Sequence, residues 1–121
     1  VAGHRRQYVI RLLEKYKIEY LYFEKVSFEE LIELYNCMDL SLVSSRIGGG
    51  PQSIFECGLS KTPIISTDVG IARKILAAES IFDMENFQNA QPNIDYAYKN
   101  CMIFDIPQGF AEFNKMFKDI L

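Results

Sequence analysis

The stretch from Leu40 to Glu56 constrains the fold more than any other part of the chain. An apolar run, Leu40 to Val43, reads as a buried strand. Ser44-Ser45-Arg46-Ile47 leads from it to Gly48-Gly49-Gly50, which strips the turn of side chains. Pro51 follows at the expected first helical position, where its missing N–H is no loss. Ile54, Phe55, Gly58 and Leu59 then recur at helical spacing. A strand, a glycine turn and a helix N-terminus therefore come in immediate succession. That succession aims free backbone N–H groups and the positive end of a helix dipole at a gap that nothing bulky enters. An anion fits there, most often a phosphate.

Glu56 lies one helical turn beyond Gln52, off the apolar stripe. Helical side chains lean toward the N-terminus, so this carboxylate is expected to point back at the glycine turn. It would repel a phosphate at close range, but slightly further off it can accept hydrogen bonds from sugar hydroxyls, as the acidic residue of dinucleotide sites does for ribose. Phosphate on the glycines with ribose on Glu56 is one reading. A tight strand-to-helix turn with a solvated Glu56 is the other. Two commoner phosphate motifs are excluded. No Lys follows the glycines, as Walker A requires, and Ser53 stands where the dinucleotide fingerprint needs its third Gly.

The rest of the chain alternates helix and strand. Tyr8, Val9, Leu12, Leu13 and Tyr16 predict an amphipathic helix over 4–16, and Ile18 to Phe23 reads as a strand. Ser27 with Glu30 forms a capping box for a helix whose apolar face is Phe28, Leu31, Ile32 and Tyr35. Asp39 to Ser44 is the strand that delivers the glycine turn, and Pro63 to Ser66 is a second buried strand. Thr67-Asp68-Val69-Gly70 is read as a turn in which Asp68 caps a helix over 71–77. Ser80 to Met84 reads as a short strand, 85–93 as a polar loop and Tyr96, Ala97 and Asn100 as a short helix. Cys101 to Ile106 reads as a last strand, Pro107-Gln108-Gly109 as a break, and Phe110, Phe113, Phe117 and Leu121 as the stripe of a final helix. These elements predict an α/β fold over 1–121 as a single domain, with a mostly parallel sheet and helices on both faces. Ligands of such sheets sit at the carboxyl ends of the strands, where the glycine turn lies.

The segment Ser27 to Ile75 resembles the nucleotide-sugar-binding half of GT-B-fold glycosyltransferases, in the large retaining group 1 family. The resemblance rests on Tyr35 with Asp39, the strand Leu40 to Val43, Ser45-Arg46, Gly48-Gly49-Gly50-Pro51, Glu56, Gly58 with Pro63, Ile64-Ile65-Ser66 and Thr67-Asp68-Val69-Gly70. It implies a Rossmann-like domain that binds a nucleoside diphosphate-sugar. The diphosphate would lie at Gly48, Gly49 and Gly50 and the ribose at Glu56, with Pro51 and Gln52 also in the nucleotide-sugar site. It also implies that the base lies against the turn at Lys25 and Val26, for which a plain surface turn is the alternative. Arg46 either pairs with a donor phosphate or holds the loop through backbone carbonyls. The family motif has two glutamates seven residues apart. Glu56 matches the second and Gly48 stands at the first, so the carboxylate that usually contacts the donor sugar is missing. Retention at the anomeric carbon and no obligatory metal or cofactor beyond the donor substrate follow from the resemblance. So do a role in polysaccharide biosynthesis and a separate upstream acceptor domain. Val1-Ala2-Gly3 accordingly reads as the tail of a strand in a C-terminal fragment of a longer enzyme, inactive by itself. The second hypothesis is a catalytically silent nucleotide-binding or interaction module on the same fold.

Composition narrows the classes. A net charge of −3 without a long basic run argues against a nucleic-acid partner. No apolar run approaches the roughly 18 residues of a membrane span. Arg5, Arg6, Lys15 and Lys17 interrupt residues 1–20, which do not read as a signal peptide. Cys37, Cys57 and Cys101, with His4 as the single His, match no disulfide framework or zinc pattern. They are expected to be reduced, mostly buried thiols in a cytoplasmic protein. Membrane-peripheral association belongs to the parent enzyme that the resemblance implies.

Overall fold

In the computed structural model, residues 1–49, 51–106 and 108–120 are described. The chain divides into two compact units, Val1–Glu33 and Leu34–Leu121. In the smaller, helix α1 (Gln7–Lys15) starts three residues later than the periodicity suggests, because Arg5 adopts a left-handed φ of 58°. Lys17, at φ 55°, ends it. The strand expected over Ile18 to Phe23 does not form. Phe23 makes one parallel bridge to Ala2, with Gly3 N–H donating to Phe23 O at 3.0 Å and Phe23 N–H to Val1 O at 3.0 Å. The partner segment is too short for a ladder, and Ile18, Tyr20 and Leu21 stay exposed, so the alternation has no buried face to serve. Helix α2 (Phe28–Cys37) begins at the predicted capping box. Glu30 N–H donates to Ser27 Oγ at 3.2 Å, and Ser27 N–H donates to Glu30 Oε2 at 2.7 Å.

The larger unit takes the last turn of α2, from Leu34 onward, and is α/β. An open sheet of three parallel strands, β1 (Ser41–Val43), β2 (Ile64–Thr67) and β3 (Ile81–Phe82), runs in the order β1-β2-β3. Ser41, Leu42 and Val43 pair with Ile64, Ile65 and Ser66, and Ser66 and Thr67 pair with Ile81 and Phe82. Helices α3 (Gln52–Ser60), α4 (Ala72–Ile75) and α5 (Ile94–Cys101) pack on one another, and α3 packs against β1 and β2. The core lies there: Ile54 and Cys57 of α3, Ile64 and Ser66 of β2, Ala72 and Ile75 of α4, and Ala97 and Cys101 of α5 are buried. Burying an Ile side chain contributes roughly 1.5–3 kcal/mol. Gly58 makes the α3–α5 approach feasible, because a Cβ there would collide with Cys101 Sγ. Lys61, at φ 56°, terminates α3 in the left-handed region and carries its Nζ 4.5 Å from the Tyr98 ring centroid.

Three further expectations are corrected. Residues 101–106 form no strand. Ala97 and Cys101 share one buried helical face, and a 3-10 turn, Met102–Phe104, continues α5 outward with exposed side chains. The helix expected over 71–77 shortens to α4, since Leu76 is extended and Ala78–Ser80 is a 3-10 turn. Asp68 does not cap α4, whose N-cap is Ile71. Its Oδ2 instead accepts from Arg73 Nε at 2.6 Å. The final helix, α6 (Gln108–Ile120), is present. Pro107 of the expected break and Leu121 of its stripe lie outside the described residues, as does the side chain of Phe113.

Candidate functional site

Because the strands are parallel, the turns that follow β1 and β2 leave the same edge of the sheet. Thr67, the last residue of β2, ties them together. Its Oγ1 donates to Ser45 O at 2.6 Å, which anchors the segment leaving β1. A Cβ placed on Gly48 would lie 3.5 Å from Val69 Cγ2, so the glycine turn runs beside the buried Val69 of the β2–α4 turn. A Cβ on Gly49 would meet nothing within 4 Å. Neither glycine has a left-handed φ. The space in front of them is open, and the backbone can be approached without displacing a side chain. Arg46 and Ile47 are exposed in the same turn, and Arg46 makes no hydrogen bond among the described residues. The expectation that Arg46 braces the loop through carbonyls is therefore not met within them. Gly50, the third glycine of the turn, lies outside the described residues.

Pro51 is the N-cap of α3 and not its first helical residue, with φ −58° well suited to proline. Gln52 is the first helical residue. No side chain caps the helix, and its first turn carries no acidic residue. Four N–H groups at a helix start lack intrahelical partners, and here one of them, Ile54 N–H, reaches back to Pro51 O at 3.0 Å. The N-terminus thus offers oriented donors and a positive dipole end beside the open glycines.

Glu56 follows one turn later, about 6 Å along the helix axis from Gln52. It is half-buried and not freely solvated. The Tyr35 hydroxyl, from the last turn of α2, donates to Glu56 Oε2 at 2.6 Å. Tyr35 is 9% exposed. Burial first, and then the hydrogen bond and the charge of Glu56, push its hydroxyl pKa well above the usual phenol range, so it stays a donor. Polar contacts close a ring around this pair. Thr62 Oγ1 donates to Tyr35 O at 2.8 Å, Ser60 Oγ donates to Glu56 O at 2.7 Å, and the two hydroxyls lie 2.8 Å apart. Each hydroxyl has one proton. Thr62 is buried, so its proton serves the Tyr35 carbonyl, and Ser60's is divided between Glu56 O and Thr62 Oγ1. The ring fixes the end of α2 to α3 and to the residue that leads into β2.

Arg46, Gly48, Gly49, Pro51, Gln52 and Glu56 all belong to the larger unit, in the turn after β1 and in α3. Lys25 and Val26 belong to the smaller unit, in the turn before α2. Lys25 is exposed and Val26 half-buried. The hydrogen-bonding roles of Tyr35 and Thr67 escaped the sequence reading. Tyr35 sits in a helical apolar stripe and is easily taken for plain packing, although a buried Tyr hydroxyl needs a partner. Thr67 acts through a loop carbonyl, which no spacing announces.

The cysteines behave as expected, apart from one. Cys57 and Cys101 are buried free thiols, each pushed up to about 11, by burial first. Cys37 is exposed. His4 lies 3.9 Å from Glu24, in a unit whose sequence contains no cysteine. Among the described residues no three His, Cys, Asp or Glu side chains gather as a metal site, and no helix is long and apolar enough to cross a membrane. A shallow depression of about 660 Å³ lies in the smaller unit, lined by Glu14, Ile18, Glu19, Tyr20 and Leu21. Its two carboxylates disfavour an anion. No protein-family model, curated protein or solved structure matches the chain.

Proposed function

We propose that this chain is the donor-binding domain of a retaining glycosyltransferase, one Rossmann-like half of a GT-B fold with helices on both sheet faces. It holds a nucleoside diphosphate-sugar. The observation that carries the proposal is the uncapped N-terminus of α3, without an acidic residue in its first turn, beside Gly48 and Gly49 in open space at the carboxyl edge of a parallel sheet. Glu56, one turn on, keeps Oε1 without a partner among the described residues and can accept from ribose hydroxyls. The diphosphate lies on the backbone N–H groups of Gly48, Gly49 and Gln52, with Arg46, unbonded among the described residues, able to meet it. Rate enhancement comes from stabilising negative charge on the departing diphosphate by preorganised donors, and no protein nucleophile is required. The acceptor, a saccharide or a lipid-linked saccharide, is bound by a separate domain in a cytoplasmic or membrane-peripheral enzyme of polysaccharide biosynthesis. These residues alone bind nucleotide and transfer no sugar.

An amide NMR titration with UDP, GDP and ADP in parallel tests this. The expected result is a saturable set of shifts at Gly48, Gly49, Gln52 and the Glu56 turn with one of the three. A folded sample that shifts with none of them overturns the proposal. One observation favours a second reading, a catalytically silent nucleotide-binding module. Gly48 leaves the turn without the carboxylate that the resemblance expects there, although its φ and its surroundings would accept a side chain. Nucleotide binding with no transfer after fusion to an acceptor domain would select that reading.

A further inference from the structure

Outside the turn and α3, one buried titratable side chain among the described residues of the larger unit is bonded directly to a proposed ligand-binding group, Tyr35. We infer that Tyr35 is a positioning residue: its hydroxyl holds the Glu56 carboxylate in the rotamer that presents Oε1 to the ribose hydroxyls of a nucleoside diphosphate. The inference rests on the donor-binding reading and adds a residue to it.

The geometry makes the case in three steps. A Glu side chain on an open helix face samples several rotamers, and ordering it on binding costs free energy. Here the 2.6 Å bond from Tyr35 removes that freedom in advance, because Tyr35 is itself fixed on both sides. Its ring is buried, and its carbonyl is held by Thr62 Oγ1 at 2.8 Å. The bond is charge-assisted and short, of the stronger class. Next, one donor on Oε2 leaves the other oxygen able to accept, and an ionised carboxylate has about four lone-pair positions. What it can hold is therefore a donor such as a hydroxyl, not a phosphate. Third, Tyr35 keeps its proton throughout the neutral range, since burial and the neighbouring carboxylate both oppose its ionisation. The carboxylate therefore stays pinned wherever the protein is folded at ordinary pH.

A plain packing role for Tyr35 would give a different result in the following experiment. Wild-type chain and Tyr35→Phe are titrated by calorimetry with the nucleoside diphosphate that binds, with its 2′,3′-dideoxy analogue and with inorganic pyrophosphate. The expected result for Tyr35→Phe is about a tenfold weaker Kd for the nucleotide and an unchanged Kd for the dideoxy analogue and pyrophosphate. In a Glu56→Gln background the same substitution is expected to add less than about twofold. Equal loss for all three ligands, or no loss for any, overturns the inference. Failure of the wild type to bind any nucleotide instead overturns the donor-binding reading on which it rests. If Tyr35→Phe does not fold, the wild-type Tyr35 ¹³Cζ resonance reads the same bond. It is expected to move with the nucleotide and to stay put with the dideoxy analogue and pyrophosphate. A resonance that stays put with all three overturns the inference.

Discussion

The two units of this chain both carry apolar residues at regular spacing, and they use them differently. In residues 1–33 none is buried: Tyr8 is 75% exposed, Tyr16 65% and Leu21 73%. In the larger unit Ile54 and Ile75 are fully buried, α3 packs on the sheet, and α4 and α5 pack against α3. The difference lies in partners. Alternation at Ile18 to Phe23 specifies a face, but that face becomes a strand only when a neighbour supplies a ladder, and one bridge to Ala2 does not. A piece of about thirty residues is also below the length at which a chain normally buries a core of its own. Periodicity proposes an element, and the surface available to cover it decides the outcome.

The sharpest way to break this contrast is at the tightest contact in the larger unit. Gly58→Ala puts a Cβ against Cys101 Sγ, and overpacking of this kind costs about 2–3 kcal/mol. Urea denaturation is expected to show that loss, and Gly58→Ala with Cys101→Ala is expected to cost clearly less than the two losses added together. A loss that adds without interaction would mean that the α3–α5 approach is not what Gly58 serves. Next comes Thr62→Val, which keeps shape but leaves the Tyr35 carbonyl without its buried donor. The expected cost is about 2 kcal/mol, read from the same denaturation curves. In the smaller unit the strongest device is local. Ser27→Ala removes the acceptor for Glu30 N–H and is expected to cost about 1 kcal/mol, detectable as lost helicity by circular dichroism.

The alkaline limb of the pH profile sharpens the same comparison, with a smaller and graded effect. Cys57 and Cys101 hold their protons up to about 11 in the folded chain, and Tyr35 holds its own higher still. Unfolded thiols release theirs at roughly 8.5 and phenols near 10. The folded state therefore binds more protons than the unfolded one above that point. Its stability is full below about pH 8.5 and declines as pH rises toward 11 and beyond. Melting temperatures recorded from pH 7 to pH 11 are expected to fall on that limb. Thiol labelling at pH 8 is expected to modify Cys37 and to spare Cys57 and Cys101 until denaturant is added.

Much of the larger unit was legible before any coordinate. The run Leu40 to Val43, the glycine turn, the helix bearing Glu56 and the strand at Ile64 announce themselves, because strand length, glycine and helical spacing are local signals. The capping box at Ser27 is equally local and forms as read. What escaped depends on which of several available partners a side chain finds, which spacing alone does not announce. Asp68 carries the composition of a cap, yet Arg73, five residues on, takes its carboxylate. Met102 to Phe104 are apolar enough for a strand, yet no strand lies beside them and the helical face of Ala97 and Cys101 prevails. At the candidate site the glycines and Glu56 were visible. The hydroxyl that grips Glu56 was not, because Tyr35 comes from another helix, 21 residues earlier.

The order β1-β2-β3 has a consequence for how the molecule is made. Ser41 meets Ile64 and Ser66 meets Ile81, so the two pairings close loops of 64 − 41 = 23 and 81 − 66 = 15 residues. The entropic difference between such closures is about 0.4 kcal/mol, too small to impose a sequence of events. Neither pairing waits for a distant part of the chain. As each successive strand leaves the ribosome it finds its neighbour already present, and the sheet can zip in the direction of synthesis, with the glycine turn formed before the last strand arrives.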